Sequence, residues 1–399
     1  MNDASVLSAP APSRPRIDSL DVVRGVAIVG TLGTNIWVFS HPWGLVGLLA
    51  SPVPPGTGEA EGVTQLALMA LAQGKFLALL SLAFGMGVLI QHDAAQRAGR
   101  RWPGRYLWRS ALLFLDGVVN YILIAEFDVL MGYAVTGAIV AWLLITRPRT
   151  QRVMIAVFGA LHLVLITGIV ALVALNPSSG SLPPGPSPYA TNSFLELAAF
   201  RLDNVVLFRA EPVLIGFLTL AMFLIGATLL RAGIFAAEGR RLRRRLMILG
   251  AVAFPVDFAL GVAGGQAGLL AERYILAPLV ALGLLALIAE LCLRRGTEGW
   301  VAQRTREVGR VALSAYMLQN LLGGALFYGW GLGLAQTAAA WRIPVTVAGF
   351  VAITAVVVLL AHLWLRRFAL GPVEWLWKRA ANIGSRPAAR DTARTAQGR

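Results

Sequence analysis

The chain has 399 residues, 57% of them hydrophobic and only 14% charged, with a net charge of +15. Soluble domains carry about 25% charged residues, so these proportions exclude a soluble globular enzyme and point to lipid as the working solvent. The positive excess is read as topology-setting arginine beside anionic lipid headgroups, not as a nucleic-acid footprint.

In chain order, residues 1–16 are polar and Pro/Ala-rich and are expected to form a disordered tail. The apolar stretch that follows comes too late and runs too long for a signal peptide. A bilayer-crossing helix needs roughly 20 mostly apolar residues. Such runs are predicted at 22–40, 66–90, 108–125, 127–146, 152–175, 213–231, 245–264, 274–293, 309–331 and 343–365. The expected fold class is therefore all-α, a polytopic membrane bundle of about ten helices. Continuous apolar runs exclude a transmembrane barrel, whose strands would alternate apolar and polar over about ten residues.

The gaps between runs differ in charge. Arg97–Arg109, Arg147–Arg152, Arg231–Arg245, Arg294–Arg310 and the stretch from Arg366 onward are rich in arginine. Residues 41–65 hold no Lys or Arg, and 176–212 hold only Arg201 and Arg209. The positive-inside rule then places both termini in the cytoplasm. Residues 17–379 read as one transmembrane domain with an outer linker at 176–212, and 380–399 as a basic, disordered tail. The Pro/Gly/Ser stretch 176–192 precedes a segment, 193–212, suited to lie along the outer interface. The single cysteine, Cys292, forms neither an internal disulfide nor a thiolate metal site, and no metal site is expected.

Polar groups inside apolar runs are costly and are often functional. The candidates are Arg24, Lys75, Asp116, Asp128, His162, Asp257, Glu290 and His362, with Asn35, Asn120, Gln319 and Asn320 as uncharged companions. Asp116 and Asn120 are four apart, on one helix face. Asp257 follows Pro255, which frees a backbone carbonyl. Each is also readable as interhelical hydrogen-bonding glue. His41, in SHPWG, lies at the outer end of the first run. It reads either as an aromatic-belt residue or as a side chain suited to proton transfer near neutrality. Phosphate loops, HExxH and G-x-S-x-G motifs are missing from the sequence.

Several stretches together resemble the YeiB family of bacterial membrane proteins, also called domain of unknown function 418. RIDSLDVVRGVAIVGTLGTNI is similar to the family's opening motif at Arg16, Leu20, Asp21, Arg24, Gly25, Gly30 and Asn35. GKFLALLSLAFGMG at 74–87, EFDVLMGYAVTG at 126–137, VGRVALSAYMLQNLL at 308–322 and ALGPVEWLWK at 369–378 resemble its later motifs. Asn120 departs from the family's usual His, Asp116 from an apolar position, and Glu126 from Gly. The opening motif is also similar to that of a transmembrane acyltransferase group that includes heparan-alpha-glucosaminide N-acetyltransferase. There a His-Ala-Pro-Trp stretch supplies the catalytic His. His41-Pro42-Trp43 is one residue shorter.

That resemblance implies an integral-membrane acyltransferase that takes acyl-CoA as a co-substrate, with no permanently bound cofactor, and a cell-envelope glycan or lipid as acceptor. Arg24, Lys75, Arg105 and Arg109 are the expected donor-binding cations. His41 is the expected base or nucleophile, Asp128 its orienting partner, and Asn35 an oxyanion donor. A transporter or flippase without covalent chemistry remains open beside it, and would use a midplane cavity around Asp116 or Asp257. The two readings differ in where a cavity runs: to an Arg-lined mouth and His41, or around those aspartates.

Overall fold

The computed structural model describes residues 17–176, 182 and 185–381, and among them regular structure is helical throughout, without a strand. The expected tails, 1–16 and from 382 onward, and 177–181 with 183–184 of the expected linker lie outside the described residues. Peptide groups in hydrocarbon must be satisfied within their own segment, which is why long apolar runs become helices.

The first run forms α1 (Asp18–Ser40), followed by short α2 (Gly44–Ala50). Helices α3 (Glu59–Ala70) and α4 (Lys75–Arg97) are broken at Gly74, whose φ of 72° belongs to the left-handed region that favours glycine. Next come α5 (Arg105–Leu123), α6 (Leu130–Leu143) and α7 (Pro148–Leu175), the last begun by a proline that needs no N–H there. On the far side of the linker lie α8 (Phe194–Asp203), capped by Ser193, and α9 (Val205–Leu214), which turns 43° into α10 (Gly216–Arg231). The chain continues through α11 (Arg240–Ala263), α12 (Gly265–Ala271), a π turn at Glu272–Leu276 and α13 (Ala277–Arg295). It ends with α14 (Trp300–Arg310), α15 (Ala312–Phe327), α16 (Leu334–Thr337), α17 (Arg342–Leu365) and α18 (Pro372–Ala381).

Among the described residues, six helical segments are long and apolar enough to cross a membrane, or seven if the bent pair α9 and α10 counts as one span. That corrects the expectation of ten. Helices α6 and α15 have 14 and 16 residues, roughly 21 and 24 Å at 1.5 Å per residue, short of a hydrocarbon core of about 30 Å. Helix α5 is diluted by Arg105, Arg109, Asp116 and Asn120. Helix α6 packs on α4, α5 and α10, helix α15 on α1 and α17, and helix α5 on α6, α8 and α18. Helices α7 and α17 form the rim, with most of their apolar surface outward.

The arginine-rich gaps gather at one end. Arg306 pairs with Asp18 at 2.9 Å, Arg243 with Glu290 at 2.6 Å, and Arg231 donates to Gln151 at 2.6 Å. The opposite end is built from 41–58, 124–129, 185–214, 263–273 and 328–341. There Ser187 and Gln336 both donate to the Pro42 carbonyl, and Arg201 pairs with Glu126 at 3.2 Å. The Arg-Gly of the opening motif has a packing reason. A Cβ at Gly25 would collide with the Thr305 carbonyl, and one at Gly309 with the Asp21 carbonyl, so α1 and α14 touch backbone to backbone.

Candidate functional site: two adjoining cavities

One face of α1 lines two cavities in succession. Arg24 and Ile28 face a cavity of about 260 Å³ at the basic end. Thr31, Thr34 and Asn35, continuing the same helical stripe, face a smaller one of about 50 Å³ toward the other end. Helix α4 repeats the pattern, with Leu77 in the second and Leu80, Phe84, Val88 and Gln91 in the first. Val129 and Tyr316 line both. The cavities therefore adjoin, and Arg24 and Asn35 sit roughly 16 Å apart along α1 at 1.5 Å per residue.

The larger cavity has a cationic mouth and an apolar depth. Arg24, Arg109 and Arg310 surround the mouth with Tyr106, Gln91 and Glu374. Arg109 donates to Gln91 Oε1 at 2.6 Å, Arg24 lies 3.4 Å from Asp21, and Glu374 accepts from the Leu313 N–H at 2.9 Å. Leu80, Phe84, Leu113, Leu130 and Leu313 line the interior.

The smaller cavity is the polar one. Asp128, on the turn between α5 and α6, is 1% exposed. Its Oδ1 accepts from Asn120 Nδ2 at 2.9 Å and its Oδ2 from the Met131 N–H at 3.0 Å, which fixes the carboxylate plane. Arg209 braces the same turn. It donates to the Asp128 carbonyl at 3.1 Å and to the Glu126 carbonyl, and its guanidinium lies over the Tyr121 ring. Asn35 donates to Asn320 at 3.3 Å. Glu211, also in the lining, accepts from Arg273 at 2.6 Å and Tyr274 at 2.9 Å. The Tyr316 hydroxyl is buried beside Asn320 and the Val129 backbone.

Asp128 and Asn35 are thus brought together, and Arg24 and Arg109 share the other cavity. His41 lines neither. Its Nδ1 accepts from the Trp43 N–H at 3.0 Å, so Nε2 carries the proton and donates to the Ser51 carbonyl at 3.2 Å. Burial, then the charge of Arg342, holds the imidazole at about 4, well below its ordinary value. This ring ties the 41–51 turn together and has no free nitrogen for a substrate.

Lys75 is corrected as a donor-binding cation. It is buried between Asp257 at 2.6 Å and Glu272 at 3.2 Å and also donates to the Ala70 carbonyl at 2.6 Å. Arg105 begins α5 outside both linings. Asp116 accepts from Trp377 of α18, and Gln319 donates to Thr31 at 3.3 Å. Neither Asp116 nor Asp257 lines either cavity. Sequence reasoning passed over Tyr316, Arg209, Glu211 and Arg273. The available signal was the isolated positive charge: Arg201, Arg209 and Arg273 stand alone in cation-poor gaps, and each pairs with an acid or braces an acidic turn.

Residues 229–384 match the family described as protein of unknown function (DUF418). The chain is 26% identical to the uncharacterized protein YxaH of Bacillus subtilis (strain 168), over 96% of this chain and 98% of that protein. It is 29% identical to the uncharacterized protein YeiB of Escherichia coli (strain K12), over 94% of this chain and 99% of that protein. These likenesses support the YeiB-family reading of the motifs.

Proposed function

We propose that this YeiB-family chain is a bacterial inner-membrane acyltransferase, with both termini and its basic end in the cytoplasm. The cavity behind Arg24, Arg109 and Arg310 takes an acyl-CoA-type donor. Planar, permanently charged guanidinium groups suit its phosphates, and the apolar depth suits its acyl chain. The smaller cavity takes the nucleophile of an envelope glycan or lipid. Its volume, about 50 Å³, admits a hydroxyl or amine tip and little more.

Asp128 acts as general base. The acceptor O–H or N–H passes its proton to the Asp128 carboxylate as its oxygen or nitrogen attacks the thioester carbonyl. The carbon–sulfur bond breaks, and the CoA thiolate leaves toward the basic end. The Tyr316 hydroxyl, at the junction, donates to the developing oxyanion. Asn35 orients the acceptor. His41 holds the turn above the site.

The supporting observation is the shared lining at Val129 and Tyr316, which joins a cationic mouth to a buried carboxylate. Asp116 and Asp257, around which a transporter would be built, line neither of these two cavities. Purified protein supplied with acyl-CoA and envelope acceptors is expected to release CoA thiol. Asp128→Asn should lower that rate by about 10²- to 10⁴-fold, the usual contribution of a positioned base. Undiminished turnover in this variant removes Asp128 from the mechanism, and failure to bind acyl-CoA removes the donor assignment.

A further inference from the structure

A groove of about 910 Å³, sharing no lining residue with either cavity, lies between α15, α17 and the turn into α18. Its floor is made by Val311 and Ala315 of the α15 region and by Val357 and Ala361 of α17. Two of these four positions are alanine, whose short side chains leave room. At its basic-end mouth stand Arg366 and Arg367, both exposed, neither in an ion pair among the described residues. Trp364 fixes the turn beside them, donating to the Leu370 carbonyl at 2.8 Å and stacking on Phe368 at 4.4 Å.

An apolar slot of this size falls within the range of ligand sites, about 300–1,000 Å³. Its position matters as much as its size. Helix α17 is one of the segments able to cross a membrane, with most of its apolar surface outward, so the slot opens toward lipid. Helix α18 lies across the basic end, where Trp375 carries Arg379 over its ring at 4.2 Å, as interfacial helices do. Two free guanidinium groups at headgroup depth above an acyl-wide slot form a complementary pair: anion above, hydrocarbon below.

We propose that this groove is a specific site for an anionic phospholipid, its phosphate on Arg366 and Arg367 and one acyl chain against Ala315 and Ala361. The site stands independently of the acyl-transfer reading and needs only that the chain be embedded in a bilayer. Planar guanidinium forks favour phosphate oxygens. Each basic side chain near an anionic surface contributes enough to change affinity by about fivefold.

The test uses the full chain, delipidated in detergent, with phosphatidylglycerol, phosphatidylcholine and inorganic phosphate as separate probes. Binding is read by native mass spectrometry and by the shift in melting temperature. Phosphatidylglycerol is expected to bind and to raise the melting temperature, whereas phosphatidylcholine and inorganic phosphate give little. The double variant Arg366→Gln/Arg367→Gln should bind phosphatidylglycerol about thirtyfold more weakly, with an unchanged melting temperature in its absence. Arg366→Lys/Arg367→Lys should retain most of the binding. Should the double Gln variant fail to fold, each single variant is expected to lose about fivefold. Equal binding of the two lipids, an equal shift with inorganic phosphate, or full retention by the Gln variants overturns the proposal.

Discussion

At the scale of single residues, the site depends on which polar groups have their hydrogen-bonding capacity already used. His41 has both nitrogens committed to backbone. His41→Ala is therefore expected to lower stability by about 1–3 kcal/mol, the cost of leaving a buried partner unpaired. Turnover per folded molecule should stay within a few fold, and parallel melting and activity measurements separate the two effects. The pH dependence follows from the same ring. Its folded-state value, about 4, lies below its unfolded value, so its contribution is complete above about 6.5 and is lost as pH falls toward 4. In His41→Ala that loss should disappear from the melting profile. None of this was legible in SHPWG, because belt residue, base and turn-holder share one sequence. The partners are backbone atoms of Trp43 and Ser51, which carry no side-chain signal. Asp128 was legible as a candidate through the family motif, but its orientation was not, because Asn120 and Arg209 reach it from other helices.

At the scale of elements, close backbone approach and buried charge hold the bundle. Lys75 sits between carboxylates of α11 and the π turn, linking three segments in a low-dielectric interior. Lys75→Ala leaves both acids buried without a cation and is expected to cost about 3–5 kcal/mol, read as a large fall in melting temperature in detergent. Gly25→Ala should cost about 1–3 kcal/mol, because α1 and α14 have no room for a methyl group and overpacking forces the backbone apart. The helices themselves were readable from apolar run length, a local property. Their ability to cross a bilayer was not, because α6 and α15 are apolar yet short. Run length merges a helix with the apolar turns flanking it: 309–331 spans the end of α14, all of α15 and the loop beyond. The partners of Lys75, 182 and 197 residues away in sequence, lie beyond any local pattern. It read as a donor cation only because its surroundings were invisible.

At the scale of the whole molecule, charge distribution and cavity placement carry the function together. The arginine-rich gaps converge on one end, and the donor cavity opens among them. Arg24→Gln/Arg109→Gln should raise the KM for acyl-CoA about tenfold or more with little change in kcat, since these groups bind phosphates remote from the reacting carbonyl. The convergence was legible from loop arginines alone, because they mark alternate gaps between the apolar runs. The continuity of the two cavities was not, since it needs α1, α4, α15 and the α5–α6 turn in place at once. The decisive measurement uses proteoliposomes of fixed orientation, with labelled acyl-CoA supplied only at the Arg-rich face and acceptor only at the opposite face. Label appearing on the acceptor, and lost in Asp128→Asn, is the predicted result. Label transferred only to acceptor on the donor's own side, or no transfer with either sidedness, contradicts a path through Val129 and Tyr316.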